Sequence, residues 1–204
     1  MTINNNRIAI ISTPESKKRN IASILGEILD VDVIGASSFE STYPYIFKNA
    51  INSFFSIGEL YTVVLAQFHE RLRAEKSERF ISDGSVLKEF VLLKVKSDNY
   101  PIKRSVKNIV LKDKYKEFIK KIERTIVDYA AITYDKVYLI EEDNCVSDYH
   151  KIVIDIIKSR KIEFKIFKGP TETIIEEILA DIGYGSNNCG DAKEIINKHK
   201  QHKS

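Results

Sequence analysis

Residues Arg7–Ala22 read RIAIISTPESKKRNIA, and the fold is decided by how this stretch is understood. Ile8, Ala9, Ile10 and Ile11 make an apolar, mostly β-branched run, short enough for a strand buried on both faces. Ser12-Thr13-Pro14-Glu15-Ser16 follows as a small polar turn, and Lys17, Lys18 and Arg19 as a basic cluster. Ile21, Ile24, Leu25 and Ile28 then recur at helical spacing, so the chain leaves the turn as an amphipathic helix. A strand, a tight turn, cations and a helix N-terminus together suit an anion, because backbone N–H groups and the helix dipole face whatever sits there.

Beyond the first helix, Asp30–Gly35 (DVDVIG) alternates and predicts a second strand, and 36–44 a loop. Tyr45–Phe55 and Ile57–Lys76 carry helical stripes; the stripe of the second is Leu60, Val64, Phe68 and Leu72 with Ile57 and Leu65 nearby. Glu78–Asp83 (ERFISD) predicts a strand ending in an acid, and Gly84–Val95 a helix. Ser97–Lys112, with Pro101 and mixed polarity, is expected to be loop or irregular insertion. Asp113–Thr133 is a strong helix and Asp135–Ile140 (DKVYLI) a buried strand. Helix Asp148–Ser159, strand Glu163–Phe167, helix Thr171–Ile182 and a short terminal helix over Asp191–His199 complete the chain. The succession predicts a three-layer α/β fold: five strands in a mostly parallel sheet, with helices on both faces and right-handed crossovers.

At 204 residues the chain fits one domain with a sizeable core. Residues 1–6 are expected to be a disordered lead-in without a signal region, 7–182 the α/β domain, and 183–204 a polar tail with a short helix. No apolar run approaches the ~20 residues of a membrane span, so no membrane association is expected. Cys145 and Cys189, without a C-x-x-C, suggest a reducing, cytoplasmic setting and no metal framework. His199 and His202 lack a companion ligand, so no metal site is expected there.

The net charge of +3 hides an uneven distribution. Residues 88–124 hold 12 Lys/Arg against 5 Asp/Glu, whereas 125–204 hold 11 against 14. The basic middle suits an anionic partner, charge pairing within the fold, or a solvated helix face. Nucleic acid is not the expected partner: no groove-reading motif is present, and Phe90, Tyr100, Tyr115 and Phe118 mostly fit core positions.

The opening stretch resembles the phosphate-binding loop of P-loop kinases, in the branch reading G-P-E-S-T-G-K-[ST]-[ST]-L-A. Pro14, Glu15 and Ser16 match, Lys18 or Arg19 stands near the phosphate-binding lysine, and Ile21-Ala22 near the Leu-Ala that opens the helix. Asp83-Gly84-Ser85 resembles the D-R-S segment, and Tyr134–Ile140 (YDKVYLI) the strand that precedes the mobile lid. The resemblance, to nicotinamide-riboside-kinase-like and nucleotide-kinase-like P-loop proteins, covers residues 7 to 182. It implies ATP with Mg²⁺ as cofactor and a nucleotide or phosphorylated small molecule as ligand. Thr13, Pro14, Glu15, Ser16, Lys17, Lys18, Arg19 and Asn20 would hold the nucleotide. Lys18 would stabilise the β/γ-phosphates, Asp83 would act as base or hold Mg²⁺, and Ser85 and Arg104 would contact substrate.

Three departures accompany the match. Thr13 and Lys17 or Lys18 fill both glycine positions of the loop, and its Mg²⁺-binding hydroxyl is missing, since Asn20 or Arg19 stands there. Gly84 replaces the arginine of D-R-S. The lid segment Glu141–Asn144 (EEDN) is short, acidic and free of arginine, and Arg160 lies far beyond it as a helix-end cation. Two functions therefore stand side by side. One is a divergent phosphotransferase for a nucleoside, nucleotide or similar hydroxyl-bearing substrate. The other is a catalytically inactive P-loop scaffold that binds a protein partner. Asp83 also has a plain structural use, because Asp and Ser are both good helix caps. Should the ancestry hold, residues 78–83 must run beside the opening strand at the edge where the phosphate corner lies.

Overall fold

The computed structural model describes residues 7–12, 21–35, 57–98, 106–141, 148–184 and 189–201. Five strands form one sheet in the order β2-β3-β1-β4-β5: β1 (Arg7–Ser12), β2 (Asp32–Ile34), β3 (Phe80–Asp83), β4 (Lys136–Ile140) and β5 (Phe164–Phe167). All four pairings are parallel. The described helices are α1 (Ile21–Leu29), α2 (Ile57–Ala74), α3 (Ser85–Asp98), α4 (Val106–Thr133), α5 (Asp148–Ser159), α6 (Thr171–Asp181) and α7 (Cys189–Gln201).

The pleat of β1 explains the three layers. Side chains alternate across a strand, so Ile8 and Ile10 face one side and Ala9 and Ile11 the other. Ile8 and Ile10 pack with α1, α6 and α7 through Ile24, Leu25, Ile174, Ile178 and Ile196. Ala9 and Ile11 pack with α3, α4 and α5 through Leu87, Phe90, Ile126, Val153 and Ile157. With helices on both faces the central strands have no solvent side, which is why they read as unbroken apolar runs. Burial of each such isoleucine contributes roughly 1.5–3 kcal/mol. The edge strands are short and partly exposed at Val33 and Ile166, which limits edge-to-edge pairing.

α1 lies close on β2 because residue 26 is glycine: a methyl group there would stand 2.2 Å from Val33 Cγ2 and 3.2 Å from the Val31 carbonyl oxygen. α7 packs its Ala192 and Ile196 into the same core, and Glu27 of α1 accepts from Lys198 at 3.3 Å and meets His199 Nε2 at 2.8 Å. These contacts pull the Glu27 carboxyl below its usual range, the His199 hydrogen bond most strongly. His199 is thus engaged with a carboxylate, and His202 lies outside the described residues.

Two expectations need correcting. In the segment 97–112, expected as loop, the described residues are helical: α3 continues to Asp98 and α4 begins at Val106. The lysines of this segment are good helix formers, so mixed polarity does not exclude a helix. The helix expected over 45–55 lies outside the described residues. Of the stripe expected on α2, Phe68 packs against the core, and the side chains of Ile57, Leu60 and Val64 lie outside the described residues. Leu65 is exposed, whereas Gln67, Arg71 and Glu75, spaced four apart along α2 and just past its end, are buried. Among the described residues no helix is long and apolar enough to cross a membrane.

Candidate functional site

The C-terminal edge of the sheet gathers the residues that can do chemistry. β3 runs parallel beside β1 with Asp83 level with Ile10, and β4 flanks the other side with Ile140 level with Ser12. Residues 13–20 connect the end of β1 to the start of α1, so the corner that sequence marks as an anion site leaves from this edge. The residues named for it, Thr13, Pro14, Glu15, Ser16, Lys17, Lys18, Arg19 and Asn20, lie outside the described residues. So do Arg104 and the 142–144 part of the lid segment.

Asp83 ends β3 half-buried, and its carboxylate forms no ion pair among the described residues. The turn beyond it is held from several sides. The Gly84 N–H donates to the Ile10 carbonyl at 2.7 Å, which ties the turn to β1. Gly84 and Ser85 both have left-handed backbone, with φ of 99° and 57°. Such a conformation suits glycine, and for serine it carries strain that the surroundings must hold. Ser85 is fully buried, and its Oγ accepts the Leu87 N–H at 3.1 Å, so the hydroxyl caps the start of α3. The Val86 N–H donates to the Tyr134 hydroxyl at 3.2 Å.

Beneath this turn sits a buried polar network that sequence reasoning missed. Arg71 and Glu75 form an ion pair at 3.5 Å with side chains 4% and 0% exposed. Removing two charges from water costs several kcal/mol per ion unless their hydrogen-bonding capacity is used. It is used here. Glu75 accepts from Ser82 Oγ at 2.5 Å, from Tyr129 at 2.8 Å and from Tyr134 at 3.0 Å. Arg71 donates to Ser82 Oγ at 2.7 Å, to the Ile34 carbonyl at 3.4 Å and to the Asp83 carbonyl at 3.2 Å. One guanidinium therefore ties together the last residues of β2 and β3. Burial, and after it the Glu75 charge, pushes both tyrosine hydroxyls well above their usual range, so they stay protonated as donors. The sequence signal was the Arg71–Glu75 spacing of four, which on a surface helix reads as an exposed pair.

A second cluster closes the other side of the edge. Glu141 follows β4, its N–H donates to the Phe167 carbonyl at 3.0 Å, and its side chain is 5% exposed. Its carboxylate meets Lys168 at 2.7 Å and lies 3.8 Å from His150 Nδ1 on α5. Burial lowers the His150 pKa below its ordinary 6.5, with Glu141 opposing the shift and Lys168 adding to it. Arg160 lies away from this edge and pairs with Asp128 of α4 at 3.3 Å. A separate open cleft of about 460 Å³, lined by Gly26, Glu27, Asp32 and Arg79 among others, lies at the opposite edge, where β2 and β3 begin. Among the described residues no cluster of three or more His, Cys, Asp or Glu could hold a metal ion.

No family model matches the chain, and no curated protein matches it. Among solved structures, it is similar to that of a deoxyadenosine kinase from M. mycoides with bound dATP. The TM-score is 0.54 at 16% identity, over 86% of this chain and 98% of that one. The five-stranded parallel sheet between helices is a P-loop kinase-like fold.

Glu75→Ala would leave Arg71 charged and buried without its carboxylate. The expected loss is about 3–5 kcal/mol in urea unfolding. Tyr134→Phe, which removes one donor and strands the Val86 N–H, should lose about 1–2 kcal/mol. A loss below about 1 kcal/mol for Glu75→Ala would mean that water reaches the pair.

His150 binds its proton more weakly in the folded chain than in the unfolded one. Its contribution is therefore fully present above pH 6.5 and falls as the pH drops through 6.5 toward the lower folded value. Urea midpoints measured from pH 7.5 down to 5.5 should decline, and the decline should be shallower in His150→Gln. Equal slopes in the two proteins would contradict this.

Proposed function

We propose that the protein is a nucleotide-binding P-loop kinase-like protein, with ATP and Mg²⁺ at the C-terminal edge of β1 and β3. Its reaction in this reading is phosphoryl transfer to a hydroxyl of a nucleoside, nucleotide or similar small molecule. The observation that carries it is the place of Asp83. A carboxylate without an ion pair among the described residues stands at the tip of β3, beside the central strand from which the phosphate corner departs. In open α/β sheets this is the crevice where ligands bind. The structural relative with dATP bound supports a nucleotide as ligand.

Phosphoryl transfer needs positioning and charge neutralisation more than covalent chemistry. Lys18, or Arg19 beside it, would hold the β/γ-phosphates, and Thr13–Ser16 with Lys17 and Asn20 would surround them. Asp83 would accept the substrate hydroxyl proton or orient Mg²⁺. Ser85 contributes by shaping the corner, since its hydroxyl is engaged by the Leu87 N–H. Arg104 would contact substrate.

A second reading rests on the replaced loop glycines and the missing hydroxyl after the lysine: an inactive scaffold that serves as an interaction subunit. Thermal unfolding with ATP, GTP and nucleosides, with and without Mg²⁺, separates the readings. A ligand at 100 times its Kd should add about 2.7 kcal/mol of stability. Stabilisation by Mg-ATP together with turnover that Asp83→Asn lowers by 10²-fold or more, roughly the worth of a positioned base, supports the kinase. Stabilisation without turnover supports the scaffold. No shift with any member of the panel removes the nucleotide assignment.

A further inference from the structure

Gly84 is a position where a side chain is absent and a neighbour has taken its place. A methyl group on Gly84 would stand 2.7 Å from Lys88 Cδ and 3.4 Å from Lys88 Nζ. Helical side chains lean toward the N-terminus, so Lys88, one turn into α3, lies over the residue four before it. Its methylene stem covers the glycine and its ammonium lies over Gly84, the residue that follows Asp83 at the end of β3. Lys88 is half-buried and forms no ion pair among the described residues, Asp83 included.

Among the described residues, several other donors at this corner are already occupied. The Gly84 N–H is on Ile10, the Val86 N–H on Tyr134 and the Leu87 N–H on Ser85. Arg71, the nearest buried cation, is committed to Glu75, Ser82 and the carbonyls of Ile34 and Asp83. Among the described residues, the Lys88 ammonium is thus a cation without an ion pair that a ligand oxyanion approaching Asp83 can meet.

We infer that Lys88 is a ligand-binding residue at the tip of β3, where its ammonium, laid over Gly84, holds a phosphoryl group of the ligand seated beside Asp83. The inference deepens the proposed function and rests on it. An ammonium is a compact point charge with three donors, suited to a phosphoryl oxygen. Its negative neighbour, Asp83, keeps the pair selective: a bare anion is repelled by the carboxylate, whereas a phosphate that carries Mg²⁺ or a hydroxyl to that side satisfies both groups. A lysine in this place also supplies the cation that Gly84 itself cannot.

Calorimetric titration of the full chain with Mg-ATP, AMP and inorganic phosphate tests this in the wild type, Lys88→Met, Lys88→Arg and Lys18→Met. Methionine keeps the stem over Gly84 and removes the charge, and Lys88→Gln replaces it should the Met protein not fold. Lys88→Met should weaken at least one phosphate ligand about tenfold or more, the worth of a charge-assisted hydrogen bond, and Lys88→Arg should restore most of it. Loss confined to Mg-ATP places Lys88 on the donor, and loss confined to AMP on a phosphorylated acceptor. Wild-type affinity for every ligand in both Lys88→Met and Lys88→Gln, while Lys18→Met binds weakly, overturns this inference and leaves the proposed function intact. No binding of any of the three by the wild type removes both.

Discussion

The structure depends on one constraint: β1 is hydrogen-bonded on both sides and covered on both faces. Its partners β3 and β4 run parallel to it, and Ile8, Ile10 and Ile11 are nearly inaccessible to water. A strand enclosed in this way can offer ligands only its end. The chain crosses from β1 outward to β2 and later from β3 over to β4 on the other side. The neighbouring strands β1 and β4 lead away in opposite directions, to β2 and to β5, and divergence of this kind opens a crevice at the C-terminal end of β1. Asp83, Ser12 and Glu141 share that end because of register.

The crevice has a costly floor. A buried Arg71–Glu75 pair is poor as a source of stability compared with apolar packing of the same volume. What it supplies is placement, since the guanidinium reaches the terminal carbonyls of both β2 and β3 while Glu75 collects two tyrosines from the end of α4. Tyr134 then reaches forward to the first turn of α3. The left-handed Gly84-Ser85 turn, which would relax if unsupported, is clamped by these hydrogen bonds, by the Ile10 carbonyl and by the Ser85 cap. Rigid support of this kind is what an acid at a strand tip needs if its direction is to matter.

Much of this was legible in the sequence. The strand–turn–helix order around Arg7–Ala22 rests on a change of hydrophobic period, and both flanking elements form where that change puts them. DKVYLI and the helix Asp148–Ser159 were equally plain, because one apolar pattern dominates each. The inward face of α2 was not. Its described part turns Gln67, Arg71 and Glu75 inward, and polarity patterns assume that charges face water. The start of α4 is hidden for a related reason, since lysine-rich sequence after Pro101 shows no apolar stripe although lysine is a good helix former. Ser85 could be read as a cap from its residue type, but its full burial could not. Lys88 escaped notice because its significance lies in a contact with a glycine, and glycine gives no pattern.

Backbone-amide NMR of labelled protein titrated with Mg-ATP would locate the ligand site proposed at the C-terminal end of β1 and β3. The largest shifts should fall on Ser12, on the 13–20 connection with Ile21, and on Gly84 to Lys88, with the opposite edge unmoved. Shifts centred on Gly26, Asp32 and Arg79, around the cleft where β2 and β3 begin, would contradict it.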